Sequence, residues 1–151
     1  RMDLVVNYLT ARAYSVGKIT IFGGAQYRPL LHVKDVANVM VQNLETDHTG
    51  IFNLHSVNTS ITDLASTLNT HFPDLIIEKT DQKFQDERNY RVSSEKSRRT
   101  FGYNPLYTVD HGIEEIHDLI KTNRVKDVFH PRYSNQEFLK GLKDFLPTPE
   151  A

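Results

Sequence analysis

Leu4, Val5, Leu9, Ala13 and Val16 recur at near-helical spacing, and Gly17 follows as a stop, so a helix is expected first. Polar and apolar residues then alternate through Lys18-Ile19-Thr20-Ile21-Phe22, the pattern of a half-buried strand, and Gly23-Gly24 ends it in a tight turn. Gln26 to Val33 reads as extended around Pro29. Val33, Val36, Ala37, Met40, Val41 and Leu44 fall on one side of a second helix, and Asp47 to Gly50 is a loop. A short strand is expected at Ile51-Phe52-Asn53-Leu54, then a helix starting where Ser60 and Asp63 resemble a capping box. That helix carries Ile61, Leu64, Ala65, Leu68 and Phe72, and Pro73 closes it. Leu75 to Glu78 is a strand, and the polar Lys79 to Arg91 a long loop. Ser94 to Phe101 is a short helix with Ser93-Ser94 as its cap, stopped by Gly102 and Pro105. Thr108 to Ile120 is an amphipathic helix with Ile113, Ile116, Leu119 and Ile120 inward, and Asn135 to Phe145 a last helix before a Pro-containing tail. Helices alternating with short strands, too few for a large sheet, predict an α/β or mixed α+β fold. The organisation expected is a main unit over 1–122 and a C-terminal helix and tail over 123–151.

Composition narrows the function classes. The 151 residues make one ordinary domain, 25% charged and 38% hydrophobic, which suits a soluble globular protein. Lys and Arg total 18 against 19 Asp and Glu, so the net charge of −1 argues against nucleic acid and anionic membrane as partners. No apolar run approaches the roughly 20 residues of a membrane span, and Arg1-Met2-Asp3-Leu4 lacks the build of a signal peptide. With no cysteine there is neither disulfide nor thiolate site, and the plain expectation is a reducing cytoplasm. A start at Arg1 reads as a fragment of a longer chain.

Seven histidines invite a metal site, but no pair shows an i, i+4 ligand spacing, and scattered surface and capping roles account for them better. There is no Gly-x-Ser-x-Gly elbow for a nucleophile, no Gly-x-Gly-x-x-Gly and no Walker sequence. Gly23-Gly24 leads into Ala25-Gln26-Tyr27-Arg28 rather than a helix, so no dinucleotide cradle is expected. Tyr14 and Lys18 match a Tyr-x-x-x-Lys catalytic pair in spacing only, because Gly17 breaks the helix between them. Arg28, between a glycine turn and a helix start, could clamp a diphosphate by charge-assisted hydrogen bonds, although from chemistry alone a surface ion pair explains it better. Asp35 reads as a structural or helix-dipole residue rather than a catalyst.

Residues 19 to 37, Ile-Thr-Ile-Phe-Gly-Gly-Ala-Gln-Tyr-Arg-Pro-Leu-Leu-His-Val-Lys-Asp-Val-Ala, resemble a segment of the extended short-chain dehydrogenase/reductases, the NAD-dependent sugar-nucleotide epimerases and dehydratases. Gly50 to Leu54, Ile61 to Ala65, Asn89 to Ser93 with Phe101 to Pro105, and Thr108 to Ile116 are similar to further stretches of that family in its order, so that the resemblance covers roughly residues 3 to 122. It departs from the family where His55 stands for a common Gly and where Gly24-Ala25-Gln26 alters the usual Gly spacing. It implies the C-terminal, substrate-binding part of a Rossmann-type enzyme, with the NAD-binding and catalytic half elsewhere, so that this chain alone binds no cofactor tightly and is inactive. By the same resemblance Arg28 binds the substrate diphosphate, Asn58 helps hold the nucleotide, Arg88 is the second diphosphate arginine with Arg91 as rival, and Asn7 also reaches the substrate. The implied partners are a nucleotide-diphosphate sugar and the missing Rossmann half, with homo-oligomerisation open. The alternative is a stand-alone, non-catalytic binding or assembly module derived from that half.

Overall fold

The computed structural model describes residues 1–81 and 88–142. Part of the expected loop at Lys79 to Arg91, the end of the helix expected to reach Phe145, and the tail lie outside the described residues.

The chain is α/β. Helix α1 (Val5–Val16) ends at Gly17, whose φ of 69° lets its amide close back on the Ala13 carbonyl, and strand β1 (Lys18–Phe22) follows. Strand β2 (Tyr27–Leu30), helix α2 (Val33–Gln42), strand β3 (Val57–Ser60) and helix α3 (Ile61–His71) lead to strand β4 (Ile76–Thr80). Helix α4 (Glu95–Phe101) stops at Gly102, helix α5 (Val109–Lys121) and a 3-10 turn at Pro131–Tyr133 come next, and helix α6 (Asn135–Leu142) ends the described chain. β1 and β4 pair in parallel, Lys18 opposite Ile76 through Phe22 opposite Thr80, while β2 and β3 form an antiparallel ribbon with Arg28 opposite Thr59 and Pro29 opposite Asn58.

The core lies where α1, α3 and α5 meet β1. Leu9 and Ala13, Ile19 and Ile21, Ile61, Leu64, Ala65 and Leu68, and Ile113 are buried together. The strand alternation puts Ile19 and Ile21 on one side of β1, and the 3.6-residue period puts Leu64 and Leu68 on one face of α3. Met2, Ala11, Ile116 and Val128 form a smaller second cluster.

The capping expected at α3 is present: Ser60 Oγ accepts the Asp63 amide at 3.0 Å and donates to the Asp63 carboxylate at 2.7 Å. Elsewhere three expectations change. Residues 51–54 form no strand among the described residues, because no neighbouring strand supplies a ladder. Their carbonyls are taken instead by α4 side chains, Lys96 Nζ to Ile51 O at 2.8 Å and Ser97 Oγ to Asn53 O at 2.6 Å. β3 pairs with β2 although its sequence, Val-Asn-Thr-Ser, carries no apolar alternation to announce a strand.

The third change concerns α2. Its expected apolar side is exposed at Val33 (74%), Met40 (67%), Val41 and Leu44 (78%), and only Asp35 of the helix is buried. Polar contacts hold it. The Asp35 carboxylate accepts the Leu106 and Tyr107 amides at 2.9 and 3.3 Å, and Lys34 pairs with Glu115 of α5. Asp35 therefore has the structural role its sequence suggested.

Ser94 sits at the N-cap position of α4 but makes no side-chain cap bond, and Ser93 Oγ accepts the Glu95 amide at 3.3 Å instead. Ser94 is taken by His55, which the family resemblance had marked as a departure. Its Oγ accepts the His55 amide at 2.9 Å and lies 2.5 Å from His55 Nδ1. Tyr103 closes the group by donating to the His55 carbonyl at 3.2 Å.

Burial holds the His55 imidazole below its ordinary value, and the Arg98 charge adds to the effect. The unfolded chain takes up this proton near pH 6.5 while the folded chain resists it. The stability from neutral His55 is therefore fully present above about pH 6.5 and is lost as the pH falls through the lower folded value, by at most about 1.4 kcal/mol per pH unit. Thermal unfolding of wild type is expected to show this slope just below pH 6.5, and His55→Gln to flatten it. Asp3, Asp110 and Glu115 are all held below the usual carboxylate range, by bonds to Arg1, His71 and Lys34 respectively, so their contribution is lost only in a more acidic window. Equal slopes in wild type and variant would contradict the assignment.

Candidate functional site

The glycine turn Gly23-Gly24 aims β2. Gln26 locks it from both ends, its Oε1 accepting the Gly24 amide and its Nε2 donating to the Phe22 carbonyl, each at 2.8 Å. β2 then presents Tyr27 and Arg28, and β3 beside it presents Asn58. Residues 88–92 cross this ribbon and are fastened to it by side chains. Asn58 makes two bonds to the Val92 main chain, Nδ2 to the carbonyl and Oδ1 from the amide, both 2.9 Å. Asn89 Oδ1 accepts the Tyr27 amide at 3.0 Å, which would otherwise be an unpaired strand-edge donor. Arg28 Nη1 donates to the Tyr27 carbonyl at 2.9 Å and to the Arg88 carbonyl.

Four of the five residues singled out in the sequence, Arg28, Asn58, Arg88 and Arg91, thus come together. Two come from the ribbon and two from the segment crossing it. Asn7 does not join them; it lies on α1, donates to the Arg1 carbonyl at 2.7 Å and lines a different cavity. The role of Asn58 also takes a specific form, since both ends of its carboxamide are occupied by Val92. It shapes the surface on which the arginines stand.

The aromatic residues here were not singled out in the sequence. The Arg91 guanidinium lies 3.6 Å from the Tyr27 ring centroid and the Arg28 guanidinium 5.8 Å from that of Tyr90. The available signal was local: each tyrosine directly precedes an arginine, as Tyr27-Arg28 and Tyr90-Arg91. Arg91 is exposed and makes no ion pair with the described residues. The arrangement can offer guanidinium N–H donors to an anion with several oxygens.

Two cavities of about 280 and 270 Å³ lie elsewhere, around the N-terminal end of α5, and share Ser56, Thr108 and Val109. Neither is lined by Arg28, Arg88 or Arg91. In the second cavity His32 stacks on Tyr107 at 4.7 Å, and its Nε2 lies 3.4 Å from Glu115.

At the glycine turn a Cβ on Gly24 would collide with Thr62 Oγ1, and the turn opens into a strand rather than a helix N-terminus. Tyr14 and Lys18 stand on different elements, Lys18 paired with Glu78 at 2.7 Å and Tyr14 packed against His117 and Phe72. Among the described residues no group of histidines and carboxylates could hold a metal ion, and no helix is long and apolar enough to cross a membrane.

Solved structures share this fold. An NAD dependent NDP-hexosamine 5,6-dehydratase, TunA, involved in tunicamycin biosynthesis, matches at a TM-score of 0.71 and 18% identity, over 84% of this chain and 43% of its own. The UDP-glucose 4-epimerase of Thermotoga maritima, solved with UDP-glucose, matches at 0.69 and 21%, over 80% and 40%. The L-threonine dehydrogenase of Phytophthora infestans matches at 0.66 and 10%, over 78% and 41%. This chain therefore spans about two-fifths of the length of these structures. Residues 1–54 match the model of the NAD dependent epimerase/dehydratase family, in agreement with the resemblance read from the sequence, and the chain has the fold of part of such enzymes.

Proposed function

We propose that this chain is the substrate-binding part of an NAD-dependent sugar-nucleotide epimerase or dehydratase, in which Arg28 and a second arginine hold the diphosphate of the nucleotide sugar. The observation that carries the reading is the gathering of Arg28, Asn58, Arg88 and Arg91 around one ribbon, from stretches far apart in the chain. A diphosphate carries more charge than one guanidinium neutralises, and two arginines meeting it offer paired, planar donors to its oxygens. Holding the nucleotide this way would fix the sugar at a reacting centre, which converts binding energy into orientation. Among the two candidates for the second arm, Arg91 is favoured, because Arg88 meets Arg28 through its main-chain carbonyl whereas the Arg91 guanidinium stands on an aromatic face. The fold by itself does not choose the substrate, since an L-threonine dehydrogenase shares it. The arginines favour the nucleotide sugar.

In this reading NAD and the catalytic groups belong to polypeptide beyond these residues, and no chemical step is assigned to this chain. Calorimetric titration with UDP-glucose as probe is the test. Wild type is expected to bind it, inorganic pyrophosphate to compete, and Arg28→Gln to weaken binding at least about tenfold, the effect of losing one charge-assisted contact. Absence of UDP-glucose and pyrophosphate binding, or equal affinity in the Arg28 variant, would sink the reading.

A further inference from the structure

We infer that Tyr27 and Tyr90 are positioning residues that preset the two arginine arms for the diphosphate, an inference that rests on the proposed nucleotide-diphosphate reading. Two Tyr-Arg dipeptides face one another here, Tyr27-Arg28 on β2 and Tyr90-Arg91 on the crossing segment. Their contacts are exchanged. Arg91 lies over the tyrosine that precedes Arg28, at 3.6 Å, and Arg28 lies toward the tyrosine that precedes Arg91, at 5.8 Å. The Tyr27 amide to Asn89 and the two Asn58–Val92 bonds fix the spacing between the dipeptides.

An aromatic face suits this task better than a carboxylate would. The ring attracts the cation through its quadrupole without neutralising it. A guanidinium lying on a ring uses its flat face, so that in-plane N–H donors of Arg91 can form bidentate bonds to phosphate oxygens, whereas Arg28 Nη1 is already given to the Tyr27 and Arg88 carbonyls. A long, flexible side chain held in this way loses less freedom on binding than one that is ordered only by the ligand. Tyr27, with the shorter contact and half-buried, is the stronger seat, whereas Tyr90 is exposed.

The test uses Tyr27→Leu, Tyr27→Phe, Tyr90→Leu and Tyr90→Phe, with inorganic pyrophosphate and UDP-glucose as probes. Each leucine variant is expected to weaken binding of both probes roughly two- to fivefold, more for Tyr27, and each phenylalanine variant to restore it. Proton NMR reads the seat directly. The Arg91 side-chain signals are expected upfield through the ring current of Tyr27, and to return to ordinary positions in Tyr27→Leu. A merely structural role would move the unfolding midpoint without selectively moving these signals. Unshifted Arg91 signals in wild type, or pyrophosphate affinity unchanged in both leucine variants, overturn the inference. If Tyr27→Leu does not fold, Tyr27→Phe and Tyr90→Leu carry the test. Upfield Arg91 signals in a wild type that binds neither probe overturn the diphosphate reading and the positioning role with it, an outcome distinct from loss of the clasp alone.

Discussion

Asp35→Ala is expected to destabilise the fold by about 3 kcal/mol, measured as a shift in the urea unfolding midpoint. The carboxylate is 2% exposed and accepts the Leu106 and Tyr107 amides, so its removal leaves two donors without their partner. A bond to a charged acceptor contributes about 1.5–3 kcal/mol, and an orphaned buried donor costs about 1–3 kcal/mol. The position amplifies the effect, because α2 has almost no apolar anchorage and its exposed side offers nothing to take over. Asp35→Asn is expected to fall between wild type and alanine: its one carbonyl oxygen can serve Leu106, while its amide group meets the Tyr107 N–H as a second donor. A loss under about 1 kcal/mol for alanine would show that α2 is held by something other than this carboxylate.

Gly24→Ala is expected to be nearly as costly, about 3 kcal/mol by the same measurement, through two separable causes. At φ 103° the backbone is in a region that side-chain-bearing residues rarely occupy. An added Cβ would also meet Thr62 Oγ1 closer than real contacts allow, with Ile21 Cδ1 at 3.5 Å behind. The Thr62 main chain is held by its amide, which donates to the Gly24 carbonyl at 3.0 Å at the start of α3, so relief has to come from rotating the Thr62 side chain. Adding Thr62→Ala should remove the steric part and leave about 2 kcal/mol of backbone cost. The same cost in both backgrounds would mean that the collision plays no part. Since this turn aims β2, the single variant is also expected to weaken whatever Arg28 binds.

The elements legible in the sequence were those whose signals are local. Gly17 and Gly102 both take the left-handed conformation that stops a helix, and Ser60 caps α3. The alternation through Lys18 to Phe22 buries Ile19 and Ile21, and Ile113 and Ile116 face inward on α5. Residues 51–54 carried an equally readable strand pattern and failed, because a strand is a pairing and its partner is not among the described residues. The apolar side of α2 was read correctly as a side, yet Met40 and Leu44 are exposed, since periodicity says which residues share a face and not what covers it. β3 shows the converse, a polar strand whose existence depends on β2 beside it.

For the site, composition and motif chemistry left Arg28 as an ordinary surface arginine, and the family resemblance alone singled out Asn58, Arg88 and Arg91. The aromatic seats and the Val92 clasp escaped notice because they join residues far apart in the chain. By itself, then, the sequence determined the helices and their stops, the Ser60 cap, the first strand and the α/β class, since these follow from backbone preferences and periodicities a few residues long. The tertiary structure alone decided that β2 pairs with β3, that Asp35 tethers α2, that His55 takes Ser94 from its helix cap, and that two Tyr-Arg dipeptides exchange partners. Those contacts bridge long stretches of chain, and their free energy appears only once the core of α1, α3, α5 and β1 has brought the segments together.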